Sequence, residues 1–216
     1  INIPNLPWQS SVANFSRDRM AQYLDLENAY QRYKRVDLIP ESRLPSSRIF
    51  TMVGTNRLDY DVAAGLSRTF VGNGSDGLVK IENATLNGLN DDGSIGAPCA
   101  KAFTYRAHSG YFGIVNSEEA FQNLARFLFG DVRVDIWLEL KDIRLPDAAL
   151  KAAGGEPNKI DAIYQIEAIA SPRGKPWSLT RRVAEEDSVA CVTQKEWNTQ
   201  GHATQYLSSV FLSRRA

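Results

Sequence analysis

The chain has 216 residues, enough for one large domain or two small ones with a sizeable buried core. Hydrophobic residues make up 43% and charged residues 23%, with a mean hydropathy of −0.32, the balance of an ordinary globular protein. Lys+Arg and Asp+Glu number 25 each, so no net field points to nucleic acid or to an anionic membrane surface, and no apolar run approaches the roughly 20 residues of a membrane-spanning helix.

Residues 1–15, with Pro4 and Pro7 near Trp8 and Phe15, read as irregular apolar backbone. From Ser16 onward Met20, Tyr23, Leu24, Tyr30 and Tyr33 recur at helical spacings, and Ser16 with Asp18 suits a helix start. Pro40 and Pro45 break the chain into a loop. The apolar run Ile49-Phe50-Thr51-Met52-Val53 predicts a buried strand of the kind found in parallel sheets covered on both faces. Gly72-Asn73-Gly74-Ser75-Asp76-Gly77 is dense turn chemistry, and Asn87 to Pro98 reads as an exposed loop. Residues 101–106 predict a short strand running into Ala107-His108-Ser109-Gly110. Ser117 then caps a helix whose apolar face is Ala120, Phe121, Leu124, Ala125, Phe127 and Leu128, and Gly130 ends it.

Beyond Gly130 the pattern changes to period two. Val132, Val134, Ile136, Leu138 and Leu140 alternate with polar residues and Trp137, as a strand with one buried face does. Further strands are expected at 163–170, 177–183, 188–193 and 206–212, interrupted only by a short helix over 147–153 closed by Gly154-Gly155. The chain therefore divides into an α/β part over 1–130 and a mostly antiparallel, sandwich-like β module over 131–216. Cys99 and Cys191 lie far apart without CxxC spacing, which excludes a cysteine-rich scaffold and leaves a single bridge, and with it the compartment, open.

Two residues stand out chemically. The chain has only two histidines; His202 falls in a polar turn, whereas His108 lies between a short strand and a capped helix, where α/β folds place reactive groups. A histidine there works as a general base when a carboxylate holds its tautomer and stabilises the imidazolium. Asp76, on its glycine-rich turn 32 residues upstream, is the partner on offer. Taken singly, Asp76 reads as a turn-former and His108 as a structural loop histidine.

Together, Gly74-Ser75-Asp76-Gly77-Leu78-Val79, His108 some thirty residues later, and Ile114 to Leu128 resemble the end of lipase-like serine α/β-hydrolases, of the lecithin:cholesterol acyltransferase and deacylase types. The resemblance covers about residues 48–129. It implies that 1–130 is the C-terminal part of an α/β-hydrolase fold, with Asp76 as triad acid and His108 as base. Ser75 and Lys80 depart from the family pattern, and Asp91 and Asp92 are the fallback acids.

In such folds the nucleophilic serine precedes the acid on a G-x-S-x-G turn. No serine before Asp76 has glycine at both −2 and +2, so the nucleophile is expected on a preceding polypeptide. The implied activity is hydrolysis of a carboxylic ester or lipid-like substrate without a cofactor. Aromatics such as Trp8, Phe15 and Tyr23 suit either core packing or a cap over an acyl pocket. The alternative is a non-catalytic binding protein on a hydrolase-like scaffold. A zinc hydrolase finds no HExxH, and nucleotide use finds neither GxxxxGK[ST] nor GxGxxG after a strand.

Overall fold

The computed structural model describes residues 16–56, 85–106, 113–183, 191–200 and 204–214, which form a mixed α/β protein of short helices and small sheets. Asp76, His108 and His202 lie outside the described residues. The chain divides into two compact units, one holding 1–49 and 86–99, the other 50–85 and 100–216. Gly130–Asp131, where the sequence places its boundary, links a helix to a strand within the second unit.

In the first unit, the helical stretch after Ser16 is two helices rather than one run: α1 (Arg17–Tyr23) and α2 (Glu27–Tyr33). The Ser16 side chain accepts a hydrogen bond from Arg19 N, the expected N-cap. The break comes at Asp25, whose φ of 54° places it in the left-handed region that Asp tolerates better than most residues. Arg43 holds that turn, donating to the Asp25 carbonyl and carboxylate. The expected loop at 87–98 is instead a hairpin of β3 (Asn87–Leu89) and β4 (Ile95–Pro98), with β1 (Leu38–Pro40) parallel to β3. Glycines and asparagines hid these strands, because backbone pairing carries them with little apolar side chain. Their core is small: Ala29, Leu38 and Leu89, with Tyr33 packed against it.

The second unit begins with β2 (Phe50–Gly54), the buried strand read from its apolar run, which pairs in parallel with β5 (Ala100–Thr104). Helix α3 (Glu118–Phe129) has the expected limits. Ser117 Oγ accepts from Ala120 N, and Gly130 N closes the end on the Arg126 carbonyl. Its orientation departs from expectation. Only Phe127 of the large apolar residues turns inward, stacking on Phe50 and meeting Phe211 edge-on, whereas Phe121, Leu124, Leu128 and Phe129 are 54–82% exposed.

Strand β6 (Val132–Glu139) pairs antiparallel with β11 (Thr204–Leu212), with a bulge at Leu207. Its alternation is real: Val134, Ile136 and Leu138 are half-buried while Asp135, Trp137 and Glu139 are exposed. Residues 163–170, expected as one strand, form two, β7 (Ile163–Gln165) and β8 (Ala168–Ala170), in different ladders. β8 pairs with β9 (Thr180–Arg182), and β7 with β10 (Cys191–Thr193), both antiparallel. α4 (Asp147–Ala152) is the expected short helix, but α5 (Gln194–Gln200) was not expected. Its sequence is too polar for an apolar period to show, and Gln194 rather than an apolar residue is its buried anchor, meeting the Tyr164 hydroxyl.

Candidate functional site

Parallel pairing fixes one consequence for the site. From Phe50↔Ala100 to Gly54↔Thr104 the strands β2 and β5 run in the same direction, so their C-terminal ends share one edge. Open α/β sheets hold ligands at such edges. Here the two exits remain bonded beyond the last rung. Thr55 donates to the Thr104 carbonyl from its N at 3.0 Å and from Oγ1 at 3.1 Å, and Asn56 N donates to the Arg106 carbonyl at 3.2 Å. Thr55, Asn56 and Thr104 are buried. In sequence, Asn56 leads into the segment that carries Asp76, and Arg106 into the one that carries His108.

A short 3-10 turn, Ile114–Asn116, precedes α3. Ser117 Oγ donates to the Ile114 carbonyl at 2.7 Å while accepting from Ala120 N at 3.1 Å, so its hydroxyl is committed to capping. Glu119, in the first turn of α3, pairs with Arg106 at 3.4 Å. One turn on, Asn123 is 1% exposed, and its Nδ2 donates to the carbonyls of Glu119 and Leu179, each at 2.8 Å.

The fallback acids have a different setting. Asp91 and Asp92 form the β3–β4 turn of the first unit, where Gly93 takes a φ of 85° that an L side chain rarely adopts. Asp92 Oδ1 accepts from Ser94 N at 2.8 Å and Ser94 Oγ at 2.6 Å. Those hydrogen bonds hold its carboxyl below the usual carboxylate range.

Sequence reasoning missed a buried polar cluster in the second unit. Thr180 Oγ1 accepts from Phe103 N at 3.1 Å and from Ser208 Oγ at 2.8 Å, and Ser208 Oγ also reaches the Lys101 carbonyl at 3.0 Å. The Tyr206 hydroxyl accepts from Lys101 N at 3.2 Å and meets Ser209 Oγ, which in turn meets the Asp135 carboxylate. Arg133 Nε donates to the same carboxylate at 2.7 Å. Burial pushes the Tyr206 phenol up, and its hydrogen bond with Ser209 opposes the rise. Arg182, over the Phe103 ring, is lowered by burial to about 10. The only signal in the sequence was Ser208-Ser209 in the middle of an apolar strand. Both serines are closed off from solvent, so this cluster fastens β5 to β9 and β11 and offers no nucleophile to a substrate.

Among the described residues no three His, Cys, Asp or Glu side chains gather as a metal site. No family model matches the chain, and no curated protein or solved structure matches it.

Proposed function

We propose that the chain is the C-terminal part of a serine α/β-hydrolase acting on a carboxylic or lipid-like ester. Asp76 is the triad acid, His108 the base, and the nucleophilic serine lies on a preceding polypeptide. The observation that carries this reading is the shared edge of β2 and β5, from which the segments bearing both residues depart. A capped helix after the second segment, as in the hydrolases the sequence resembles, supports it further.

The chemistry follows from those roles. The serine hydroxyl attacks the ester carbonyl as His108 takes its proton, and Asp76 stabilises the imidazolium. His108 then passes that proton to the departing alkoxide, leaving an acyl-serine. Water, deprotonated by His108, attacks the acyl group, and the proton returns to the serine as the acid is released.

The exposed apolar side of α3, with Phe121, Leu124, Leu128 and Phe129 open together, supports the preceding polypeptide as partner, since contiguous exposed apolar groups mark interaction surfaces. A fluorophosphonate probe should label the intact parental protein on a serine upstream of Ile1, within a strand–GxSxG–helix. Asp76→Asn and His108→Ala should each lower turnover of p-nitrophenyl butyrate by about 10³-fold or more. Unchanged turnover in both variants removes the triad. Absence of any serine elbow upstream favours the second reading, a non-catalytic binding protein, for which the exposed Trp137 beside Tyr206 is a candidate contact.

A further inference from the structure

We propose that β6 is a docking edge for a second copy of this chain, paired antiparallel with its counterpart across a twofold axis at Ile136. Among the described residues β6 is laddered to one strand only, β11, which lies on its inner side. Residues 207–211 of β11 are buried, and Tyr206 and Ser208 fasten that strand to Lys101 of β5. The other long side of β6 runs for 8 residues without proline, and the bulge of this ladder falls on β11. Val132, Val134, Ile136 and Leu138, on its inward face, are all apolar and only half-buried. Proline, a bulge or an inward charge is how proteins blunt an edge strand, and β6 carries none of the three.

Charge decides which strand fits it. Arg133, Asp135, Trp137 and Glu139 share the outer face, and Asp131 and Lys141 continue the same alternation on either side. With the axis at Ile136, Arg133 lies opposite the partner's Glu139 and Asp131 opposite the partner's Lys141, each contact occurring twice by symmetry. Val134 then meets Leu138, Asp135 meets Trp137, and Ile136 meets itself. Opposite charges facing each other across an antiparallel pair stabilise it, and like charges destabilise it. An axis at Asp135 brings that carboxylate against itself and Asp131 against Glu139. An axis at Trp137 sets Asp135 against Glu139 and Arg133 against Lys141. An axis between two residues turns the apolar face of one copy to the polar face of the other. The strand is complementary to itself in the Ile136 register, and main-chain pairing along the edge supplies the affinity. One strand pair makes a small interface, so the dimer is a weak one.

Sedimentation velocity of the purified chain from about 1 to about 200 µM should show a reversible monomer–dimer equilibrium. Glu139→Arg and Arg133→Glu should each raise the dimer dissociation constant about tenfold or more, since each creates two like-charge contacts. Mixed in equal amounts, the two variants should form a heterodimer about as tight as the parental dimer, because each supplies the charge that the other lacks. A monomer over the whole range overturns the proposal. So does a dimer that neither substitution weakens, the result expected if copies meet through the exposed side of α3, and so does a mixture without rescue. Arg133 Nε also donates to Asp135, so Arg133→Glu puts the fold itself at risk. Ile136→Cys then decides the matter. Facing Cα atoms of an antiparallel pair lie about 4.5–5.5 Å apart, within disulfide reach, so oxidation should link two copies through Ile136→Cys. Glu139→Cys, far from its own counterpart in this register, should link no more than the parent does. Equal linking at both positions, or none at Ile136→Cys, would sink the pairing.

Discussion

Asp37 shows how one side chain can hold two parts of a chain together. Its carboxylate takes two hydrogen bonds from Arg35, at 2.8 and 2.5 Å, and one from Asn87 Nδ2 at 3.2 Å, while its carbonyl accepts from Asn87 N. Burial raises its carboxyl, but the Arg35 contacts and the Asn87 bond outweigh that and leave it below the usual range. A depressed carboxylate stabilises the folded state above its unfolded value and loses that contribution as pH falls through the folded one. The thermal midpoint of the first unit should therefore drop more steeply below about pH 4 in the parent than in Asp37→Asn. Parallel pH profiles for the two proteins would remove Asp37 from the acid sensitivity. None of this was legible in the sequence. Nothing in Val36-Asp37-Leu38 announces that Asn87, fifty positions on, will lie alongside.

Elements were legible where their signals are local. Ser117 and Gly130 mark α3 because capping is written within one turn of the residues it serves. Gly130 also has a steric role: a Cβ there would press on the Arg126 carbonyl and come within 2.9 Å of the Leu212 carbonyl. Gly130→Ala should cost about 1–3 kcal/mol in urea unfolding, as overpacking does, with no gain from its unstrained φ. Which way α3 faces was not legible, since an apolar period tells how many faces a helix has and not what lies against each. Phe127→Ala should cost about 3 kcal/mol, through its loss from the Phe50 and Phe211 rings. Phe121→Ala should stay within about 0.5 kcal/mol, because it leaves an exposed position. Equal losses would mean that Phe121 is covered in solution. Strands β3 and β4 and helix α5 escaped notice for one shared reason. Main-chain pairing and a buried Gln194 hold them, and neither leaves an apolar rhythm. Of the candidate site, the two strand exits and the helix start were readable, while Asp76 and His108 lie outside the described residues.

Across the molecule, the chain passes between its two compact units after Ile49, Thr85 and Cys99. Among the described residues, the first unit has one small apolar cluster of Ala29, Leu38 and Leu89 with Tyr33 against it, whereas the second combines an aromatic cluster, a polar network and four two-stranded ladders. Local stability follows such differences in burial. Native-state hydrogen exchange should give the amides of Leu38, Ile39 and Asn87–Leu89 a lower opening free energy than those of β5 and β11. One common value for all four strands would instead make the chain a single cooperative block.

The pairing of β6 with β11 has a consequence for how the protein is made. β6 leaves the ribosome about seventy residues ahead of its partner, and until Thr204–Leu212 follows, its alternating edge and Trp137 stay open. Unpaired edges of that kind recruit strands from other molecules. The nascent chain is therefore prone to aggregate in the interval between the two strands, and the hazard on that edge ends once Thr204–Leu212 has emerged to pair with β6.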